Sequence, residues 1–129
     1  MYSVIRFGDA ATREDQQQRI RALVEQAWPN CGDLAESRRE PALTASLLES
    51  EDWHSQSVEI KKVAQALSTI TPLLSQEGVT IQFDIAIYED DYRTRFLTEF
   101  GLFPDLLSLL GNHQMSICFS IYNNIFEKP

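Results

Sequence analysis

The sequence has few residues of the types that build metal, redox and nucleotide sites. Its 129 residues include two cysteines, two histidines and five glycines. Cys31 and Cys118 form no C-x-x-C pair, and neither histidine lies at a metal-ligand spacing from them. We therefore expect two free thiols, no metal and no cofactor.

Catalytic signatures are missing as well. No G-x-S-x-G, H-E-x-x-H, P-loop or G-x-G-x-x-G occurs, and turns at the ends of helices and strands account for every glycine. Cys118 lies among apolar residues of a predicted strand, a poor setting for a reactive thiolate. We expect a protein that is not an enzyme.

Long apolar runs are absent too. None reaches the roughly 18 residues that a membrane-spanning helix needs. The first seven residues contain neither a long apolar segment nor a small-residue cleavage site, so we expect no signal peptide. With 43% hydrophobic and 23% charged residues, the composition is typical of a globular protein. We expect one cytoplasmic domain, residues 1–129, that binds no membrane.

Positive charge is the scarcer sign, with 11 Lys and Arg against 19 Asp and Glu and a net charge of −8. Residues 51–91 hold eight of the acids and only two lysines. Such a field repels phosphate backbones, so we expect no nucleic-acid binding. The same field attracts a basic protein, although acidity that only keeps the protein soluble explains the charge equally well.

Two segments repeat one pattern 34 residues apart, FDIAIY at 83–88 and ICFSIY at 117–122. Each follows a Leu-Leu-Ser segment and then a glycine, Gly78 or Gly111, which predicts a repeated helix–turn–strand unit. The intervening residues leave room for a helical crossover, and a right-handed crossover makes the two strands parallel. We therefore expect Tyr88 and Tyr122 at the same end of the sheet.

Other elements complete the predicted fold. Residues 2–7 form a predicted strand, and amphipathic helices are predicted after Thr12 and Ser57 as N-caps, with an interruption at Pro72. Residues 33–57 are hardest to interpret, although 42–48 are predicted as a strand because they lie between two helices. The order predicts an α/β fold, a two-layer sandwich with a mixed sheet of about four strands and helices mainly on one face.

The alternation of side chains predicts unlike faces for this sheet. The Phe and Ile residues of both repeats share one face, which we expect the helices to cover. A parallel sheet covered on both sides would be almost continuously apolar, and this one is not. We therefore expect an open second face, which carries Asp84, Ala86, Tyr88, Cys118, Ser120 and Tyr122.

An open face with small residues and two tyrosines suits protein docking, because tyrosine gives a large contact area at low entropic cost. The residues expected to contact a partner are Asp84, Tyr88, Glu89, Asp90 and Tyr122. In the alternative interpretation, the tyrosines only pack on neighbouring loops. Residues 89–91 could also hold a cation, but no EF-hand spacing supports this and a solvated acidic turn is simpler.

The chain resembles small bacterial α/β domains of the immunity-protein type, which are encoded beside polymorphic toxins. The resemblance covers about residues 45–122 and rests on the helix Ser57 to Leu74, Gly78, Ile87-Tyr88, Pro104, Leu106-Leu107 and the strand end Ile121-Tyr122. It implies an acidic, cytoplasmic, non-catalytic protein that plugs or masks a toxin domain. The shared positions are structural, so no functional residue is carried over.

The predicted function is therefore that of a non-catalytic protein-binding module, an immunity-type protein that neutralises a bacterial toxin by binding its basic domain. Two alternatives stay open. One is a phage- or plasmid-encoded acidic inhibitor that mimics nucleic acid. The other is a small ligand-binding domain or enzyme with a cleft at the Tyr88 and Tyr122 strand ends. A homodimer through an exposed sheet face is open as well.

Overall fold

Five strands and four helices make up the part of the chain that the computed structural model describes, residues 1–32, 34–38, 40–50, 52–88 and 101–122. The strands are β1 (Tyr2–Phe7), β2 (Ala35–Glu36), β3 (Leu43–Glu49), β4 (Ile81–Tyr88) and β5 (Met115–Tyr122). The helices are α1 (Glu14–Ala27), α2 (Trp53–Leu67), α3 (Thr71–Gln76) and α4 (Pro104–Asn112). The predicted α/β class is confirmed, with five strands rather than about four.

The sheet is mixed and has the strand order β2-β3-β1-β4-β5. Its central strand β1 pairs antiparallel with β3 and with β4, whereas β4 and β5 are parallel. In this parallel pair Ile81 lies opposite Met115 and Tyr88 lies opposite Tyr122. The predicted parallel arrangement is confirmed, and the 34-residue repeat is itself the register of the two strands.

The predicted cap of the first helix is wrong by one residue. The N-cap of α1 is Arg13, whose backbone N–H donates to Gln16 Oε1 at 2.9 Å. Thr12 instead holds the preceding turn, because its hydroxyl oxygen accepts from the Asp9 N–H at 2.9 Å. A threonine that follows a glycine turn can stabilise either the turn or the start of the helix, and the sequence does not distinguish these two roles.

The second helix begins a turn earlier than predicted. Its N-cap is Asp52, whose carboxylate accepts from the N–H groups of His54 at 3.1 Å and Ser55 at 3.3 Å. Ser57 is therefore inside the helix and is not its cap. The first turn is polar and lacks the apolar periodicity on which the prediction depended. The predicted interruption at Pro72 is confirmed, since α2 ends at Leu67 and α3 restarts at Thr71.

The core lies between one face of the sheet and the helices. Every second residue of β1 and β4 points into the core and is almost fully buried. The apolar stripes of α1 and α2 are buried there as well. Fully buried members include Ile5, Phe7, Val24, Leu43, Ile60, Leu67, Phe83 and Ile85, each with 0% exposure. The prediction that the Phe/Ile face of β4 meets the helices is therefore confirmed.

One buried polar side chain connects α2 to the sheet. Gln56 has 0% exposure. Its Oε1 accepts from the Ser3 hydroxyl at 2.5 Å, and its Nε2 donates to the carbonyls of Leu48 and Ser50, each at 3.2 Å. The β1–β3 register shifts between Ser3 and Val4. Gln56 thus pairs the polar groups that this irregularity leaves beneath the helix.

Candidate docking surface on the open sheet face

Three tyrosines form a row across the open face. Tyr2 begins β1, and Tyr88 and Tyr122 end β4 and β5. The ring centroids of Tyr2 and Tyr88 are 5.8 Å apart, and those of Tyr88 and Tyr122 are 5.9 Å apart, with planes tilted by 34° and 35°. Aromatic rings attract one another at such separations, so each ring helps to orient the next.

The strand pairing explains why the three rings meet. The antiparallel β1–β4 register sets Tyr2 opposite Ala86, two residues before Tyr88 on the same face. The parallel β4–β5 register then sets Tyr88 opposite Tyr122. Sequence reasoning missed Tyr2, because local patterns do not say which strand lies beside β4. The available signal was the alternation of Tyr2, Val4 and Arg6 with buried residues of β1.

A shallow depression of about 290 Å³ lies beside the tyrosine row. Ala86 and Ser120, which are direct partners across β4 and β5, are among its lining residues, and Ala86 is 5% exposed. Every described residue that lines it belongs to β1, β4 or β5, so none of the four described helices contributes to it. The lining residues are Tyr2, Val4, Arg6, Gln82, Asp84, Ala86, Cys118, Ser120 and Tyr122.

An ion pair borders the depression away from the tyrosines. Arg6 Nη2 lies 3.2 Å from Asp84 Oδ2, and Arg6 Nε lies 3.6 Å from Glu40 Oε1. The Asp84 side chain is 21% exposed and that of Arg6 is 33% exposed, so water screens the pair only in part. Arg6 therefore lies between two carboxylates, and these three side chains together carry one net negative charge.

The acids of residues 51–91 do not share one surface in the described part of the chain. Asp52 caps α2, where hydrogen bonds from the Ser55 hydroxyl and the His54 N–H lower the pKa of its carboxyl. Glu77 pairs with Arg19 at 3.0 Å beside α1. Only Asp84 among these described acids lines the depression. Among the described acids of this segment, the charge expected to attract a basic partner is therefore not concentrated at the depression.

Three of the five predicted contact residues lie together. Asp84, Tyr88 and Tyr122 are on the same face of β4 and β5, as the alternation predicts. The structure places Tyr122 at 42% exposure. Glu89 and Asp90 lie outside the described residues.

The features needed for a strand-end active site are not brought together. His113 precedes β5 and therefore lies at the opposite end of the sheet from Tyr122, with its Nδ1 3.4 Å from Thr71 Oγ1. Within the described ranges no group of three or more His, Cys, Asp or Glu residues could hold a metal ion. The helices of this part of the chain are also too short or too polar to span a membrane.

Comparison of the chain with protein-family models, with curated proteins and with solved structures finds no match.

Proposed function

We propose that the protein is a non-catalytic binding module of the immunity type, which neutralises a bacterial toxin by seating it on the open sheet face. One observation carries the proposal. A row of three tyrosines borders a depression whose described lining residues, Ala86 and Ser120 among them, all come from three adjacent strands. The size, acidity and predicted lack of catalytic motifs agree with this role.

The geometry suits a protein anchor. Tyrosine is enriched among the residues that contribute most to binding energy, and such residues cluster around pockets that become dry in the complex. Ala86 and Ser120 leave space above the sheet into which a partner side chain can insert beside Tyr122. Because the rings already contact one another, little side-chain entropy is lost when the partner orders them.

The charges of the protein favour association with a basic partner and leave little cost of burying charge at the open face. The net charge of −8 attracts a basic domain from a distance and raises the association rate at low salt. On the face itself Arg6 already lies beside Asp84 and Glu40, so a partner that covers Arg6 buries no isolated positive charge. We therefore expect salt to slow association while the tyrosines govern dissociation.

The test uses the purified product of the neighbouring gene and titration calorimetry. Tyr122→Ala removes an exposed ring from the row, and the loss expected for a central contact residue is about 30-fold in Kd. Leu73→Ala is the matched control, because Leu73 is similarly exposed (40%, against 42% for Tyr122) but lies on α3 in the helix layer. The control should bind as the wild type does.

Two results would contradict the proposal. The first is that wild-type protein and the neighbouring gene product elute separately in size-exclusion chromatography. The second is that Leu73→Ala weakens binding as much as Tyr122→Ala, which would move the contact to the helix layer. Circular dichroism of both variants checks that each remains folded.

The alternatives have less support. A nucleic-acid mimic needs carboxylates arrayed along one surface, whereas the described acids of residues 51–91 are dispersed and two of them are paired with arginines. A small-ligand site has one favourable observation, since the depression of about 290 Å³ is close to the smallest ligand pockets. The depression is shallow rather than enclosed, and its described rim carries large aromatic rings, so a protein anchor fits it better.

A further inference from the structure

The polar side chains of the depression have hydrogen-bonding capacity that the described part of the chain does not use. Gln82, Asp84 and Ser120 all line it. No hydrogen bond joins another described group to the Gln82 side-chain amide or to the Ser120 hydroxyl. The Asp84 carboxylate meets Arg6 Nη2 through Oδ2, at 3.2 Å, and its Oδ1 has no described partner. Each of the three side chains therefore brings an acceptor oxygen to one site.

The charge at this site has an excess of one carboxylate. Arg6 is the only cation among the described lining residues. It lies between Asp84 at 3.2 Å and Glu40 at 3.6 Å, and all three side chains are at most 33% exposed, so water screens them only in part. One cation added beside Asp84 would make the group neutral, whereas an added anion would double the excess.

Aromatic rings border the same space. Tyr2 and Tyr122 both line the depression. Tyr2 lies opposite Ala86, which is two residues from Asp84, or about 7 Å along the strand. Ala86 adds only a methyl group between the carboxylate and the tyrosine row. Tyrosine rings attract cations that lie within about 6 Å of the ring centre, and the cation is more often arginine than lysine.

We propose that the depression receives an arginine side chain of the partner. Its guanidinium lies beside Asp84 Oδ1, and its aliphatic stem lies over Ala86 against the Tyr122 ring. This role of the depression rests on the proposed function, because the arginine belongs to the protein that the open face seats. A guanidinium is planar, has five N–H donors and no acceptor, and stacks on aromatic faces, so it matches acceptor oxygens beside tyrosines. The compact, strongly hydrated ammonium of lysine matches them less well.

Other side chains fit the site poorly. An acidic side chain would have to pair with Arg6, whose Nε is buried and whose Nη2 already meets Asp84. An apolar side chain would cover the Ser120 hydroxyl and the Asp84 carboxylate without giving either a donor, which is costly for polar groups that lose water. Arginine alone among these supplies both the charge and the donors.

Titration with N-acetyl-arginine amide, followed by the amide chemical shifts of the protein in NMR, tests the inference without the partner. Shifts should occur at Asp84, Ala86 and Ser120, and the uncharged N-acetyl-citrulline amide should cause much smaller ones. Asp84→Asn should weaken binding about tenfold, because a charge-assisted hydrogen bond is lost. The matched control is Glu77→Gln, which also removes one paired carboxylate, but beside Arg19 on α1, and it should bind as the wild type does.

Three results would overturn the inference. The first is that the arginine derivative causes shifts no larger than those of the citrulline derivative. The second is that N-acetyl-lysine amide causes equal shifts, since the site would then not select a guanidinium. The third is that Asp84→Asn and Glu77→Gln weaken binding equally.

The proposed function fails separately from this inference. If the neighbouring gene product forms no complex, the proposed function fails whether or not the arginine derivative binds. If a complex forms and Tyr122→Ala weakens it while Asp84→Asn does not, the open face binds the partner without an arginine at Asp84, and only the inference fails.

Discussion

β4 and β5 repeat one sequence pattern, yet their residues have different degrees of burial. Ile87 of β4 is 4% exposed, whereas Ile121, its partner in β5, is 64% exposed. Phe83 is fully buried, and its partner Ile117 is only half-buried. β4 has a strand on each side, while β5 has one neighbour among the described residues. The pattern therefore determines which face a residue occupies, and the place of the strand in the sheet determines how deeply it is buried.

The largest expected effect comes from substituting the two partner isoleucines. Ile87→Ala leaves a cavity under the helices and should lower the free energy of unfolding by about 2–5 kcal/mol. Ile121→Ala removes a side chain that water already surrounds, so its cost should stay within about 0.5 kcal/mol. Urea denaturation of the two variants measures both. Equal costs would show that β5 is as buried as β4.

A slightly smaller loss of stability is expected from a substitution beneath β1, the other strand that pairs with β4. Gln56→Leu leaves the Ser3 hydroxyl and the carbonyls of Leu48 and Ser50 without their buried partner. The free energy of unfolding should fall by about 2–3 kcal/mol. Gln65→Leu, an exposed position on the same helix, is the matched control and should change stability little. A tolerated Gln56→Leu would show that the strands beside β4 do not need this support.

Substitutions of open-face residues in β4 and β5 should differ less in their effect on the free energy of unfolding. Asp84 and Cys118 are partners in the register, but only Asp84 holds Arg6. Asp84→Asn leaves Arg6 with Glu40 at 3.6 Å and should cost about 1 kcal/mol, discounted for partial exposure. Cys118→Ser should stay within about 0.5 kcal/mol. Thermal unfolding at low and high salt checks both, and a salt-independent loss in Asp84→Asn would exclude the ion pair as its cause.

The smallest expected effect on stability concerns the N-terminus of α2, whose first residue, Trp53, packs on β5. Hydrogen bonds from Ser55 and His54 lower the pKa of Asp52 from its ordinary value of 3.8. Because the folded pKa is depressed, this contribution to stability is complete above the unfolded value and is lost as pH falls through the folded one. Asp52→Asn keeps a capping side chain but removes the titration. Its stability should therefore depend less on pH below about 4 than that of the wild type.

The sequence predicted the parts of the fold that depend on local periodicity and on one repeat. The 34-residue repeat was enough to place Tyr88 beside Tyr122, because a right-handed helical crossover makes the two strands parallel. It could not place Tyr2 in the row, since antiparallel pairing of β1 with β4 is a contact between distant residues. It also missed β2, because two exposed residues carry no alternation that could be recognised.

The measurement that tests the account most directly is hydroxyl-radical footprinting of the protein alone and in complex with the proposed toxin partner. Tyr122 on the open face and Phe103 on the helix side are both exposed aromatic residues, at 42% and 68%, so one experiment reports on both sides of the sheet. We predict that complex formation protects Tyr122 from oxidation and leaves Phe103 unchanged. Protection of Phe103 with Tyr122 still reactive would contradict the central claim that the open face binds the partner.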